Sequence, residues 1–285
     1  MTSQQVRSSN PLNEDGIVTE LDISHLVIED DEPVDNFQSA QQQRLLVEPL
    51  YSSEALPRPF LADANVGLFY KLQGDPIVPD TMVSLGVQRA NDYAQKRDRS
   101  YFVWEFGKVP DVCVEIVSNQ EGSEIILDRA SQRKGKTQSK RDIYAQIGVP
   151  YYAVFDPLEY IQDANRMEGS LLRVWGISPS GYQELTGAER LRQPGQFVWL
   201  EGVGIGLTLW EGQFEEAITR LWLRWCDRNG DVILTGAEGQ AAERQRAETE
   251  RQRAETERQR AETERQKAER LAIRLREMGI DPNEI

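Results

Sequence analysis

Histidine is all but missing from this chain: its single example, His25, lies in an acidic N-terminal stretch. That excludes a serine or cysteine triad built on imidazole, and it excludes a metal site made of several histidines. Cysteine is nearly as scarce, with only Cys113 and Cys226, so there is no disulfide framework and the chain fits a reducing compartment. Cys113 stands inside an apolar run and reads as a buried, inert thiol. No apolar run is long enough to cross a bilayer. The start, Met1-Thr-Ser-Gln-Gln, lacks the charged beginning and apolar stretch of a secretory leader. The expectation is a cytoplasmic protein without membrane contact. Positive charge in excess is lacking too. The formal charge is −14, which argues against a generic binder of polyanions. The two ends, residues 1–45 and 236–285, carry −7 and −1, leaving −6 for residues 46–235. A local basic groove remains compatible with that middle segment.

What is present divides the 285 residues into three. Residues 1–45 are polar and acidic, include the run Gln41-Gln42-Gln43, and read as mostly disordered, with one short ordered piece around Leu21–Ile28. Residues 46–235 read as strands with intervening helices. Gly67–Leu72, Thr81–Val87, Val112–Val117, Tyr151–Asp156 and Leu171–Ile177 are β-branched or aromatic runs bounded by Gly, Pro and Asp. β-rich sequence follows through Trp210. Ser139–Ile147 reads as a helix closed by Gly148 and Pro150. Phe214, Ile218, Leu221, Trp222 and Trp225 recur at helical spacing and read as a packing stripe. Residues 236–285 form a charged helix in which the heptad Ala-Glu-Thr-Glu-Arg-Gln-Arg starts at Ala247 and Ala254, and nearly repeats from Ala261. Pairs such as Arg244/Glu248 and Arg251/Glu255 favour a helix by about 0.2–0.5 kcal/mol each. A strong coiled coil wants two apolar positions per heptad, and here there is one alanine. A solvated single helix is preferred, with weak self-association to a homo-oligomer as the alternative. Leu271, Leu275 and Met278 mark a short sticky end.

Three acidic positions and one lysine form the candidate site. Asp80 stands at the mouth of the second strand, after Pro79. Asp111 and Glu115 lie on the third strand, where alternation puts Asp111, Cys113, Glu115 and Val117 on one face. A carboxylate at Glu115, flanked by apolar residues, is expensive to bury without a cation or partner. Lys140, Ile143, Tyr144 and Ile147 follow helical spacing, so Lys140 lies on the flank facing the sheet. With no histidine cluster, any metal would be held by carboxylates, which selects Mg²⁺, Mn²⁺ or Ca²⁺. The plainer alternative is that Asp80 is a turn residue and that Glu115 pairs with a neighbouring lysine.

Pro79-Asp80, Pro110-Asp111-Val-Cys-Val-Glu115-Ile-Val-Ser118, and Lys140-Arg-Asp-Ile-Tyr144 through Val-Phe-Asp156-Pro157 resemble the Uma-two family of restriction-endonuclease-like proteins. Val203-Gly-Ile-Gly-Leu-Thr-Leu-Trp210 through Leu223-Arg-Trp-Cys-Asp227 is similar to the same family, so the resemblance covers roughly residues 55–235. It implies an α/β fold, with a restriction-endonuclease-like central mixed β-sheet flanked by helices, and the PD-(D/E)XK motif. It implies Asp80 and Glu115 as ligands of Mg²⁺ (or Mn²⁺). The motif lysine should stand two residues after Glu115, where this chain has Val117; the resemblance transfers that role to Lys140. Asp111 and Ser118 would support the site. Arg129, Arg133, Lys134 and Lys136, in a segment longer than the family pattern leads one to expect, could contact phosphates, or could belong to a solvated loop. Glu54 is a weaker candidate for a further acid. The function so implied is metal-dependent phosphodiester hydrolysis in nucleic acid, with DNA favoured. The rival is a catalytically inactive interaction protein that works through its charged C-terminal helix.

Overall fold

In the computed structural model, residues 36–89, 93–127, 137–187 and 190–279 are described. The chain divides into two compact units at Thr235/Gly236. The first unit begins with helix α1 (Phe37–Ser52), started by Asn36, whose side chain accepts the Ser39 N–H. The expectation of disorder through residue 45 is therefore corrected over residues 37–45. Leu45, Leu46 and Leu50 are fully buried, and so, nearly, are Gln41, Gln42 and Gln43. The glutamine run resembles low-complexity sequence, yet its amides are absorbed by specific partners. The short ordered piece foreseen around residues 21–28 lies outside the described residues, as does His25.

Six strands form the main sheet: β1 (Phe60–Ala64), β3 (Thr81–Leu85), β5 (Val112–Ile116), β6 (Tyr151–Phe155), β7 (Leu172–Ser178) and β8 (Gly181–Glu184), side by side in that order. Neighbours run antiparallel except β5 and β6. The parallel pair needs a crossover, and it includes helix α3 (Lys140–Ile147). The short strands β2 (Leu68–Phe69) and β4 (Tyr101–Phe102) pair parallel, and the four-residue helix α2 (Val103–Phe106) follows β4. The strand foreseen over Gly67–Leu72 thus shrinks to two residues, and β1 was not foreseen at all. Strands β9 (Phe197–Leu200), β10 (Ile205–Gln213) and β11 (Thr219–Cys226) form a separate antiparallel sheet.

The main sheet is apolar on both faces. On one face Val83, Val112, Val114, Ile116, Ala153 and Phe155 join a core with Leu46 and Leu50 of α1 and with Leu207, Leu223 and Trp225 of the small sheet. On the other, Met82, Cys113, Val117, Tyr152 and Val154 join Tyr144, Ile143 and Ile147 of α3. This is a mixed α/β, restriction-endonuclease-like architecture with a cover on each face of its central sheet.

The helical stripe foreseen over Phe214–Trp225 is corrected: Leu221–Trp225 lie in β11. Leu223 and Trp225 face the core, whereas Arg224 stacks on Trp210 at 4.7 Å from its ring centre. A spacing of four residues is shared by a helix face and a strand face, so Leu221 and Trp225 satisfy both. Ile218, which only a helix would have buried, is half exposed.

The second unit is helix α4 (Gly236–Glu277), 42 residues long with none buried. Arg265 lies 3.8 Å from Glu262 and 3.6 Å from Glu269. Among the described residues, no helix is long and apolar enough to cross a membrane.

Gln42 joins α1 to the small sheet as a strand would. Its amide nitrogen donates to Leu223 O at 2.7 Å, and its oxygen accepts from Leu223 N at 3.0 Å. Gln42→Leu leaves both backbone groups without partners at about 1–3 kcal/mol each. Chemical denaturation of that variant is expected to show a loss of about 2–6 kcal/mol.

Candidate functional site

The site is built by strand register. Thr81 of β3 lies opposite Val114 of β5, so one step further along the antiparallel pair Asp80 comes opposite Glu115. Opposed residues of an antiparallel pair project on the same face. Asp80 is locked at this sheet end, accepting the Ile116 backbone N–H on Oδ2 at 2.7 Å. Its Oδ1 accepts from Gln43 Nε2 at 2.9 Å. Gln43 in turn exchanges hydrogen bonds with Asn65.

Lys140 reaches the same point from α3. Ser139 caps that helix in a reciprocal box with Asp142. The next two amides are taken by the preceding loop, Lys140 N by Ser123 O at 2.9 Å and Arg141 N by Glu124 O at 3.0 Å. These bonds fix the helix start, and Lys140, its first residue, swings its ammonium to 2.6 Å from Glu115 Oε2 and 3.2 Å from Val78 O. Tyr144, one turn on, donates its hydroxyl to Glu115 Oε1 at 2.9 Å. Gly148 then closes the helix at φ 83°, a left-handed geometry suited to glycine.

Glu115 is 1% exposed and Asp80 7%, while the Lys140 side chain is 32% exposed and forms the solvent-facing edge. Burial drives the Glu115 carboxyl well above its usual range; the Lys140 charge opposes this, and Asp80 adds to it. Burial alone would lower Lys140, but the charges of Glu115 and Asp80 outweigh it and hold the ammonium above its ordinary value. Burial, then Glu115, raise Tyr144 as well, so its phenol remains a donor at neutral pH.

Asp80, Glu115 and Lys140 are therefore brought together. Asp111 is not. It shares the Glu115 face but lies four residues back along β5, about 13 Å. There it accepts from Leu85 N at 2.7 Å and from Lys108 Nζ at 2.6 Å, holding the opposite end of the β3–β5 pair. Ser118 follows β5, half-buried, and no hydrogen bond among the described residues ties it to the other three. Arg129, Arg133, Lys134 and Lys136 lie outside the described residues. Glu54 is exposed beyond the end of α1.

Three neighbours escaped the sequence reading. Gln43 stands in the segment taken as disordered; the Asn36 cap and the Leu46/Leu50 spacing were the available signal. Tyr144 was placed on the right helix face without its role as a donor. Glu124 is buried, and its charge acts on both Glu115 and Lys140; nothing in its local sequence announces that.

The donor chemistry suits a hard divalent cation. Among the described residues, two carboxylates, with Glu124 nearby, meet the Lys140 ammonium. Each carboxylate oxygen of Asp80 and Glu115 has a donor but retains lone-pair capacity, a carboxylate offering about four sites. Among the described residues there is no cluster of three or more His, Cys, Asp or Glu side chains able to hold a metal. Any metal held here would rest on two carboxylates and water, a pattern Mg²⁺ tolerates.

A central mixed sheet covered on both faces, with helices packed against it, defines a restriction-endonuclease-like fold. The family model Uma2, described as "Putative restriction endonuclease", matches residues 20–172. The chain belongs to that family. No curated protein matches it.

Lys140→Met tests the electrostatics. Removing one member of a buried pair costs about 3–5 kcal/mol; with Lys140 one-third exposed, about 2–4 kcal/mol is expected at neutral pH. The sign with pH follows from Glu115. Its folded carboxyl holds a proton to higher pH than the unfolded one, so stability falls as pH rises through that window. Without Lys140 the window widens. Thermal melts at several pH values are expected to show the deficit of Lys140→Met growing from acid to neutral pH.

Proposed function

We propose that the chain is a metal-dependent endonuclease hydrolysing phosphodiester bonds in nucleic acid, with DNA as the favoured substrate. The observation that supports this most is the convergence of Glu115 and Lys140 at 2.6 Å beside an Asp80 held by the same strand pair.

In this reading Asp80 and Glu115 hold Mg²⁺ (or Mn²⁺), assisted by water. The bound ion supplies Lewis acidity toward the phosphate and a more acidic water. Lys140 orients the attacking water and offsets the extra negative charge that develops on the phosphate. Its raised pKa keeps it charged for that purpose and unsuited to act as a neutral general base. Gln43, through Asp80 Oδ1, and Tyr144, through Glu115 Oε1, are positioning residues that orient the two carboxylates. Glu124 adds negative charge that favours a cation. Arg129, Arg133, Lys134 and Lys136 are assigned to phosphate contacts on charge alone.

The test is cleavage of single- and double-stranded DNA and of RNA with Mg²⁺ or Mn²⁺. Asp80→Asn, Glu115→Gln and Lys140→Ala are each expected to lower the rate by about 10²–10³. Cleavage unchanged in all three would overturn the assignment. Independently of activity, Mn²⁺ at a hundred times its Kd should stabilise the parent by about 2.7 kcal/mol, and this gain should vanish in Glu115→Gln.

A further inference from the structure

The long helix α4 has no buried residue, yet its charges are not evenly arranged. Residues three and four beyond an alanine of the repeat lie about 50° to either side of it. On one side of the Ala247–Ala254–Ala261 column this places Glu250, Glu257 and Glu264; on the other it places Arg251, Arg258 and Arg265. The far side of the helix satisfies itself. Thr249, Thr256 and Thr263 donate to carbonyls four residues back at 2.8 Å, and Gln252, Gln259 and Gln266 bond Glu248, Glu255 and Glu262. Among the described residues, Glu250, Glu257, Glu264, Arg251 and Arg258 make no side-chain hydrogen bond or ion pair; Arg265 has its two long contacts to Glu262 and Glu269.

We infer that this face docks a second copy of the same helix, parallel and in register. The orientation follows from symmetry. A two-fold axis parallel to the helices turns each acidic flank onto the partner's basic flank. An axis perpendicular to them sets acid against acid and base against base. The alanine column allows close approach, and at its C-terminal end the same geometry turns apolar: Ala268, Leu271, Leu275 and Met278 repeat at three- and four-residue steps, the seam of a short coiled coil. Leu271 and Met278 are 64% and 73% exposed in the single chain. Charge complementarity thus supplies what the missing second apolar position per heptad does not. The association itself does not depend on the proposed chemistry.

Sedimentation of the full chain is expected to show a reversible dimer that weakens about tenfold or more between low and high salt. Glu250→Arg/Glu257→Arg/Glu264→Arg makes both flanks basic and should abolish self-association, as should Arg251→Glu/Arg258→Glu/Arg265→Glu, which makes both acidic. Mixing these two full-length variants should restore a heterodimer. Met278→Cys should form a disulfide-linked dimer on mild oxidation, because a parallel register puts the two thiols side by side. A chain that stays monomeric at all concentrations overturns the inference. So do variants that dimerise as well as the parent, a mixture that does not associate, or a dimer in which Met278→Cys does not cross-link.

Discussion

A nearly inaccessible carboxylate inside a β-sheet is the constraint on which the site rests. Glu115 lies between Val114 and Ile116, and its own face carries Cys113 and Val117. Left alone it would be neutral. It is held instead by two groups delivered one helical turn apart, the Lys140 ammonium and the Tyr144 hydroxyl, and for both to arrive the start of α3 must be fixed. That explains why so much hydrogen bonding is spent there: the Ser139–Asp142 box and the two loop carbonyls at Ser123 and Glu124. A buried ion pair of this kind contributes little net stability. On the proposed reading, an ion pair placed in an otherwise apolar core serves chemistry rather than packing.

The second carboxylate is placed by a different device. Asp80 caps the Ile116 N–H where the β3–β5 ladder ends, so one side chain both terminates the sheet and stands beside Glu115. Gln43 completes this from α1, while the neighbouring Gln42 ties the same helix to β11. Helix α1 thus couples the candidate site to the small sheet. A change in how α1 packs would reach Asp80 directly.

Much of this was legible in the residues. Strands β3, β5, β6 and β7 announced themselves through β-branched and aromatic runs, and α3 through its cap, its spacing and Gly148. Those elements drew attention to Asp80, Glu115 and Lys140; the roles proposed for them came from the family resemblance. What was not legible depends on distance in the sequence. Gln43 lies 37 residues from the carboxylate it serves, and a glutamine run has no periodicity to show that its amides have targets. On the sequence Asp111 reads as a supporting residue because it shares the strand face of Glu115, but alternation fixes the face of a strand and not the end; its partners, Leu85 and Lys108, belong to the other end. Trp225 failed for a third reason: a four-residue interval cannot tell strand from helix when both bury it.

That the lysine facing Glu115 stands on the helix and not on the strand has its own physical logic. Position 117 is on the Glu115 face, so alternation would direct a lysine there toward the same carboxylate. But Val117 is 1% exposed, packed in the cluster that joins the sheet to α3, and a lysine in that place would have to desolvate its ammonium deep beneath the helix. Carried by the first residue of α3, the ammonium meets the same carboxylate from the rim, with its stem against the protein and one-third of the side chain in solvent. On the proposed reading, a lysine at the edge can move with an incoming phosphate in a way that a lysine in the core could not. The same placement leaves Val112 to Val117 apolar apart from Glu115, which lets the sheet be covered on both faces while the ammonium, and not the carboxylate, meets solvent.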